Sequence, residues 1–241
     1  MKRSPLAGID LSIFPRAVLL LVRNPSIILP PLLTSMVGVL MARVLTPGVV
    51  DPAGLTTGLG GLIVILIELF GLGAACVIAD DAWRHGRASF DDGWTEARRR
   101  GGDILVAAIG IAFILAVAQY TALLIGPFSL ALTAAAIYFL IWTIPAASVG
   151  GIPGGAAIQV SIERVRANPL PAALVAVVAV AVAFFVPAYA TAIVDALVFS
   201  YAVGTSLISA LIGALIRSIA FAYVALVITK TYTDTAFSRR W

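Results

Sequence analysis

Apolar positions in this chain form long continuous runs rather than the alternation of strands or the narrow stripes of soluble helices. Six runs of 20 residues or more lie at 25–44, 57–79, 104–125, 128–149, 170–197 and 201–229. At ~1.5 Å rise per residue each can cross a hydrocarbon core of ~30 Å. Gly126 and Pro127 divide the third run from the fourth, and the boundary near Ser200 is very short. Polar residues gather between the runs, where the pattern changes to one apolar face. Trp83, Phe90, Trp94 and Ala97 recur at i, i+7, i+11 and i+14, with Asp91, Asp92, Arg98 and Arg99 mainly on other faces. Ile158, Ile162 and Val165 follow at i, i+4 and i+7. Such helices suit a headgroup boundary, with Trp83, Phe90 and Trp94 as interfacial anchors. Arg84, Arg87, Arg98, Arg99, Arg100, Arg164 and Arg166 are then the expected contacts to anionic lipid headgroups. Packing beneath the bundle is the other reading, and both keep these helices at the cytoplasmic surface.

Composition sharpens this picture. Apolar residues make up 61% of the 241, only 12% are charged, and mean hydropathy is +1.06. That excludes a soluble enzyme, a nucleic-acid binder and a disordered chain, and leaves a polytopic membrane protein. The basic excess, 16 Lys and Arg against 12 acidic residues, is informative through its placement. Fourteen of the 16 fall in four segments that six spans place on one side, leaving only Arg43 and Arg217 elsewhere. The positive-inside rule makes that side cytoplasmic, so both termini face the cytoplasm and the expected location is the inner (plasma) membrane. Lys2 and Arg3 resemble a signal-peptide start, but Asp10, Pro15, Arg16 and Arg23 interrupt any short apolar core, so the N-terminus is expected to be retained.

The cytoplasmic segments also resemble one another. "SIFPRAVLLLVRNPSII" aligns with "SFDDGWTEARRRGGDIL", pairing Ser12 with Ser89 and Arg23 with Arg100. "VSIERVRANPLPA" aligns with the latter, pairing Glu163 with Glu96 and Arg166 with Arg99. Asn24-Pro25 recurs as Asn168-Pro169. The expected fold is therefore all-α, a single membrane domain over 1–241. Its six transmembrane helices form three parallel-repeat hairpins, each preceded by a short amphipathic cytoplasmic helix, with units at roughly 9–79, 86–149 and 155–229. Parallel repeats depart from the inverted plan of many secondary transporters.

In its order of parts the chain resembles the membrane domain that accompanies bacterial glycerophosphodiester phosphodiesterases, and that domain's stand-alone relatives of unknown function. The residues behind this are "LLLVRNPSIILPPLL", "AWRHGRASFDDGWTEARRRGGDIL", "IPAASVGGIPGGAAIQVSIERVRANP" and "IAFAYVALVITKTYTD". The resemblance implies architecture only. The family's separate catalytic domain uses two histidines and acidic metal ligands, and this chain has one histidine, so the activity is not carried over.

Candidate chemistry is sparse. Cys76 is the only cysteine and His85 the only histidine, which removes intrachain disulfides, Cys-rich metal sites and most hydrolytic triads, so neither metal nor cofactor is expected. Glu68 and Arg217 are the ionisable residues deepest in the runs. Both lie roughly 18–20 Å from the inner end by helix rise, so their depths match. A charge there needs a partner or a wet cavity, and the readings are a buried ion pair that fixes the second helix to the sixth, a polar site, or Arg217 reaching toward the interface. Gln119, Tyr120 and Thr121 extend a polar path or anchor the outer interface, and Asp195 is expected at the external interface. Gly54, Gly58, Gly60, Gly61, Gly71 and Gly73 permit close helix contact. Pro30-Pro31, Pro145 and Pro187 are expected to kink their helices. "GGIPGG" at 150–155 is a turn, since it lacks a phosphate loop's Lys-Ser/Thr ending. The expectation is a non-catalytic transport or lipid-handling protein with its polar centre at Glu68 and Arg217. The alternative is a structural or accessory subunit of a membrane complex. Expected partners are membrane lipids and a second copy or complex partner.

Overall fold

The computed structural model describes residues 10–45, 59–121, 128–198 and 207–237, and their regular structure is entirely helical. A short helix, α1 (Ile13–Arg23), buries Ile13, Ala17 and Leu21 on one face. Asn24 ends it at φ −130° and ψ 69°, and Pro25 opens a 3-10 turn at Pro25–Ile28. A proline disfavours helical backbone at the residue before it, and Asn24 leaves the helical region. The chain therefore turns by 95° between Ile13–Arg23 and Pro25–Met41. It then runs as α2 (Leu29–Leu45) and returns as α3 (Leu59–His85). Gly86, at φ +76°, stops α3 in the left-handed region that glycine tolerates. Ser89 caps α4 (Phe90–Arg99) by accepting the Asp92 N–H at 3.5 Å. Asp91 and Asp92 in the first turn and Arg98 and Arg99 in the last suit the helix dipole. The chain continues as α5 (Gly101–Tyr120), α6 (Phe128–Leu140), α7 (Thr143–Ser148) and α8 (Gly154–Ala167). It closes with α9 (Pro169–Val180), α10 (Val186–Val198) and α11 (Leu207–Phe237).

Five helices are long and apolar enough to cross a membrane, six if the bent pair at the start counts as one span. Several boundaries differ from the hydropathy pattern. The second run carries on as helix through Asp80, Asp81 and Arg84 to His85, because charges at a helix C-terminus cost no backbone bond. Trp83 consequently belongs to α3, while Phe90 and Trp94 belong to α4, so these three rings do not share one helix face as the spacing predicts. The fourth run is broken between α6 and α7. At that break the Ser161 hydroxyl accepts the Trp142 N–H at 3.2 Å and donates to the Phe139 carbonyl at 2.8 Å, so the interrupted backbone stays satisfied. Pro30, Pro31 and Pro145 fall in first helical turns, where a missing N–H is harmless. A π-helical turn at Ala181–Phe185 stands immediately before Pro187, and a widened turn lets the ring avoid the carbonyl four residues earlier.

The third short helix is not a flat helix below the bundle. A side chain on Gly154 would strike Val106 and the Asp103 and Ala107 backbone, and one on Gly110 would strike Ile158. These contacts advance together along both chains, so α8 runs lengthwise beside α5 in the same direction. Core packing relies on small side chains. Ala74, Ala75, Cys76 and Ala79 on α3 and Ala222 and Ala225 on α11 are fully buried, as is Trp142, whose indole N–H donates to Thr231 Oγ1 at 3.2 Å. Alanine faces let helices approach closely where no water is present to reward larger apolar groups. Gly54, Gly58, Gly126, Pro127, Ser200 and the terminal Lys2, Arg3, Arg239 and Arg240 lie outside the described residues.

Candidate functional site: an ion pair between two apolar helices

Glu68 on α3 and Arg217 on α11 come from segments 149 residues apart, and they meet. Arg217 Nη1 donates to Glu68 Oε1 at 2.8 Å, with side chains 26% and 15% exposed respectively. The helices α2, α3 and α11 pack on one another more extensively than any other group. Local sequence permits this. Gly71, one turn from Glu68, has no side chain where Thr34 of α2 presses in, and Thr34 satisfies its own hydroxyl on the Pro30 carbonyl at 3.0 Å. A guanidinium offers five donors, and among the described residues Arg217 spends only Nη1. Arg–carboxylate pairs are frequently bidentate, and this one rests on a single bond. This pair neutralises charge while leaving donor capacity unused.

The arginines expected at headgroups divide into four kinds. Arg87 and Arg98 are exposed. Arg84 pairs with Asp80 at 2.8 Å, and Arg99 with Glu96 at 3.2 Å. Arg100 and Arg164 turn into the protein. Arg100 holds Glu96 at 2.7 Å and donates Nη1 to the Ser148 and Val149 carbonyls at 2.8 and 2.9 Å. Three residues on, Asp103 accepts the Gly154 N–H at 3.3 Å. A cation thus meets the C-terminal carbonyls of α7 and an anion meets the N-terminus of α8, each end matched to its own dipole. Arg164 donates to the Tyr232 carbonyl at 2.7 Å and lies 3.8 Å from the centre of that ring. Arg166 lines an apolar groove.

The expected anchors are half-buried. Phe90 stacks on Trp94 at 5.7 Å between centroids, and Trp94 meets Phe70 of α3 edge-on at 6.3 Å. The Trp83 indole donates to the Leu226 carbonyl at 3.0 Å. His85 Nδ1 lies 2.7 Å from Asp81, and these two help to line a polar cavity of about 360 Å3 with Asp80, Glu96 and Arg100. Among the described residues no group of three His, Cys, Asp or Glu could hold a metal ion. Thr121 Oγ1 donates to the Ala118 carbonyl at 2.7 Å, whereas the side chains of Gln119, Tyr120 and Asp195 lie outside the described residues.

One element escaped the sequence reading. Asn24 donates to the Gly86 carbonyl at 3.3 Å and accepts the Ala88 N–H at 2.9 Å, while Ser26 donates to the Ala88 carbonyl at 3.1 Å. The first joint therefore clamps the turn between α3 and α4. An Asn ahead of Pro was the available signal, since it is the residue type that caps backbone at a helix break. No protein family, curated protein or solved structure matches this chain.

Proposed function

We propose that this is a non-catalytic integral membrane protein of transport or lipid-handling type, with Glu68 and Arg217 as its polar centre. The observation that carries it is the single bond at 2.8 Å between them, which leaves the remaining guanidinium donors of a partly exposed Arg217 unspent. An anionic group, the phosphate of a lipid headgroup above all, satisfies those donors, and Glu68 compensates the charge when the site is empty. Cytoplasmic termini and a place in the inner membrane are part of the proposal, supported by the gathering of 14 of the 16 Lys and Arg in four segments. Three repeat units are part of the proposal. Supporting them, Asn24 and Asn168 end their helices at nearly the same dihedrals, φ −130° with ψ 69° and φ −136° with ψ 62°. Both also return Nδ2 to the carbonyl four residues back. The resemblance to the membrane domain accompanying glycerophosphodiester phosphodiesterases stands beside this as a proposal about architecture. The competing reading, an accessory subunit, takes the pair as a bridge between α3 and α11.

The test is reconstitution of the full chain in vesicles holding fluorescent phosphatidylglycerol, with quenching of the outer leaflet. The parent is expected to expose inner-leaflet lipid faster than empty vesicles, and Arg217→Met to return the rate to that baseline. A parent no faster than empty vesicles refutes lipid movement and leaves the bridge reading.

A further inference from the structure

Between α5, α6 and α8 the surface opens into a groove of about 390 Å3, within the ~300–1,000 Å3 usual for ligand sites. Its walls are apolar, with Ile114, Val117, Leu132, Ala136 and Phe139 among them, and its one charged lining group is Arg166 in the last turn of α8. The ion pairs among the described residues use Arg16, Arg84, Arg99, Arg100, Arg217 and Lys230, and Arg166 is not among them. Its neighbour Arg164 is turned onto Tyr232, so Arg166 is exposed beside the groove while the nearest cation in sequence is committed elsewhere.

These features select one kind of occupant. Apolar cavities do not hold water, and α5 is itself apolar enough to cross a membrane, which brings hydrocarbon to the opening. An exposed guanidinium with no ion-pair partner among the described residues, beside an apolar trough, calls for a molecule that is anionic at one end and aliphatic along the rest. We propose that the groove holds one acyl chain of an anionic phospholipid whose phosphate is bound by Arg166. The site involves neither Glu68 nor Arg217, so it goes beyond the reading above and stands or falls separately from it.

Native mass spectrometry of the full chain, released from nanodiscs of equal phosphatidylcholine and phosphatidylglycerol, tests this. The parent is expected to retain one phosphatidylglycerol in preference to phosphatidylcholine. Arg166→Gln should lower that preference by about tenfold, the effect of one charge-assisted bond. Ala136→Phe, which fills the groove, should lose the retained lipid of either headgroup. Arg87→Gln, an exposed arginine absent from the groove lining, should leave retention unchanged, and excess inorganic phosphate should not displace the lipid. Unchanged preference in Arg166→Gln overturns the proposal. So does an equal loss in Arg87→Gln, which marks general surface attraction, or displacement by phosphate, which marks an anion site without a chain. Arg166 is exposed and takes part in no ion pair among the described residues, so its variant tests the idea even if Ala136→Phe does not fold.

Discussion

Glu68 and Arg217 show how a single charge pair is balanced inside an apolar bundle. Removing one partner leaves the other uncompensated, a cost of ~3 kcal/mol for such pairs, whereas removing both leaves no orphan charge. Glu68→Gln and Arg217→Met are therefore each expected to lower thermal stability in nanodiscs, and the double variant to recover most of the loss. Additive losses across that double-mutant cycle would show that the bond at 2.8 Å contributes nothing. The depth of this pair was legible in the sequence, because helix rise alone places two residues at equal distance from a membrane face. The role of Arg100 was not. Its guanidinium closes the end of α7 on the Ser148 and Val149 carbonyls, and Arg100→Met is expected to cost ~1–3 kcal/mol by leaving partly buried carbonyls unpaired. Chemical denaturation measures this, and a loss no larger than that of exposed Arg98→Met would refute the contact.

At the scale of elements, packing depends on where a side chain is missing. Gly71 faces the Thr34 side chain at the crossing of α2 and α3. Gly71→Ala forces these helices apart and is expected to cost ~1–3 kcal/mol, the usual range for overpacking. Thr34→Ala in the same chain should restore part of it, since it removes the atoms in the way, and melting temperatures of the three variants read the coupling. No rescue would mean that the crossing tolerates a methyl group. The helix α4 meets α3 through the edge-on Trp94–Phe70 contact and through Gly93 against the Ile78 side chain. Trp94→Ser removes the edge contact at 6.3 Å to Phe70, so amide exchange across 90–99 should rise. The apolar faces of these helices were legible as periodicity. Which neighbour each face meets was not, because spacing along one helix carries no information about another.

For the molecule as a whole, the distribution of arginines predicts sidedness. Cys76 is fully buried, so a cysteine placed elsewhere reports alone. In intact cells, Asp92→Cys is expected to resist a membrane-impermeant maleimide and Pro52→Cys to react. Reaction at position 92 from outside would overturn the orientation and the cytoplasmic placement of α4.

Sequence by itself determined that this chain is a helical bundle of membrane-crossing type, where its apolar runs lie, and that Glu68 and Arg217 share a depth. Each of these follows from hydropathy and helix rise, which act along one dimension. Only the tertiary structure decided that α8 lies along α5, that the fourth run breaks and is sealed by Ser161, and that Arg100 and Arg164 turn inward while Arg166 has no ion-pair partner among the described residues. Those outcomes rest on contacts between residues far apart in the chain, such as the 48 positions separating Arg100 from Ser148. They arise because every broken helix end must find hydrogen-bond partners wherever the fold brings them.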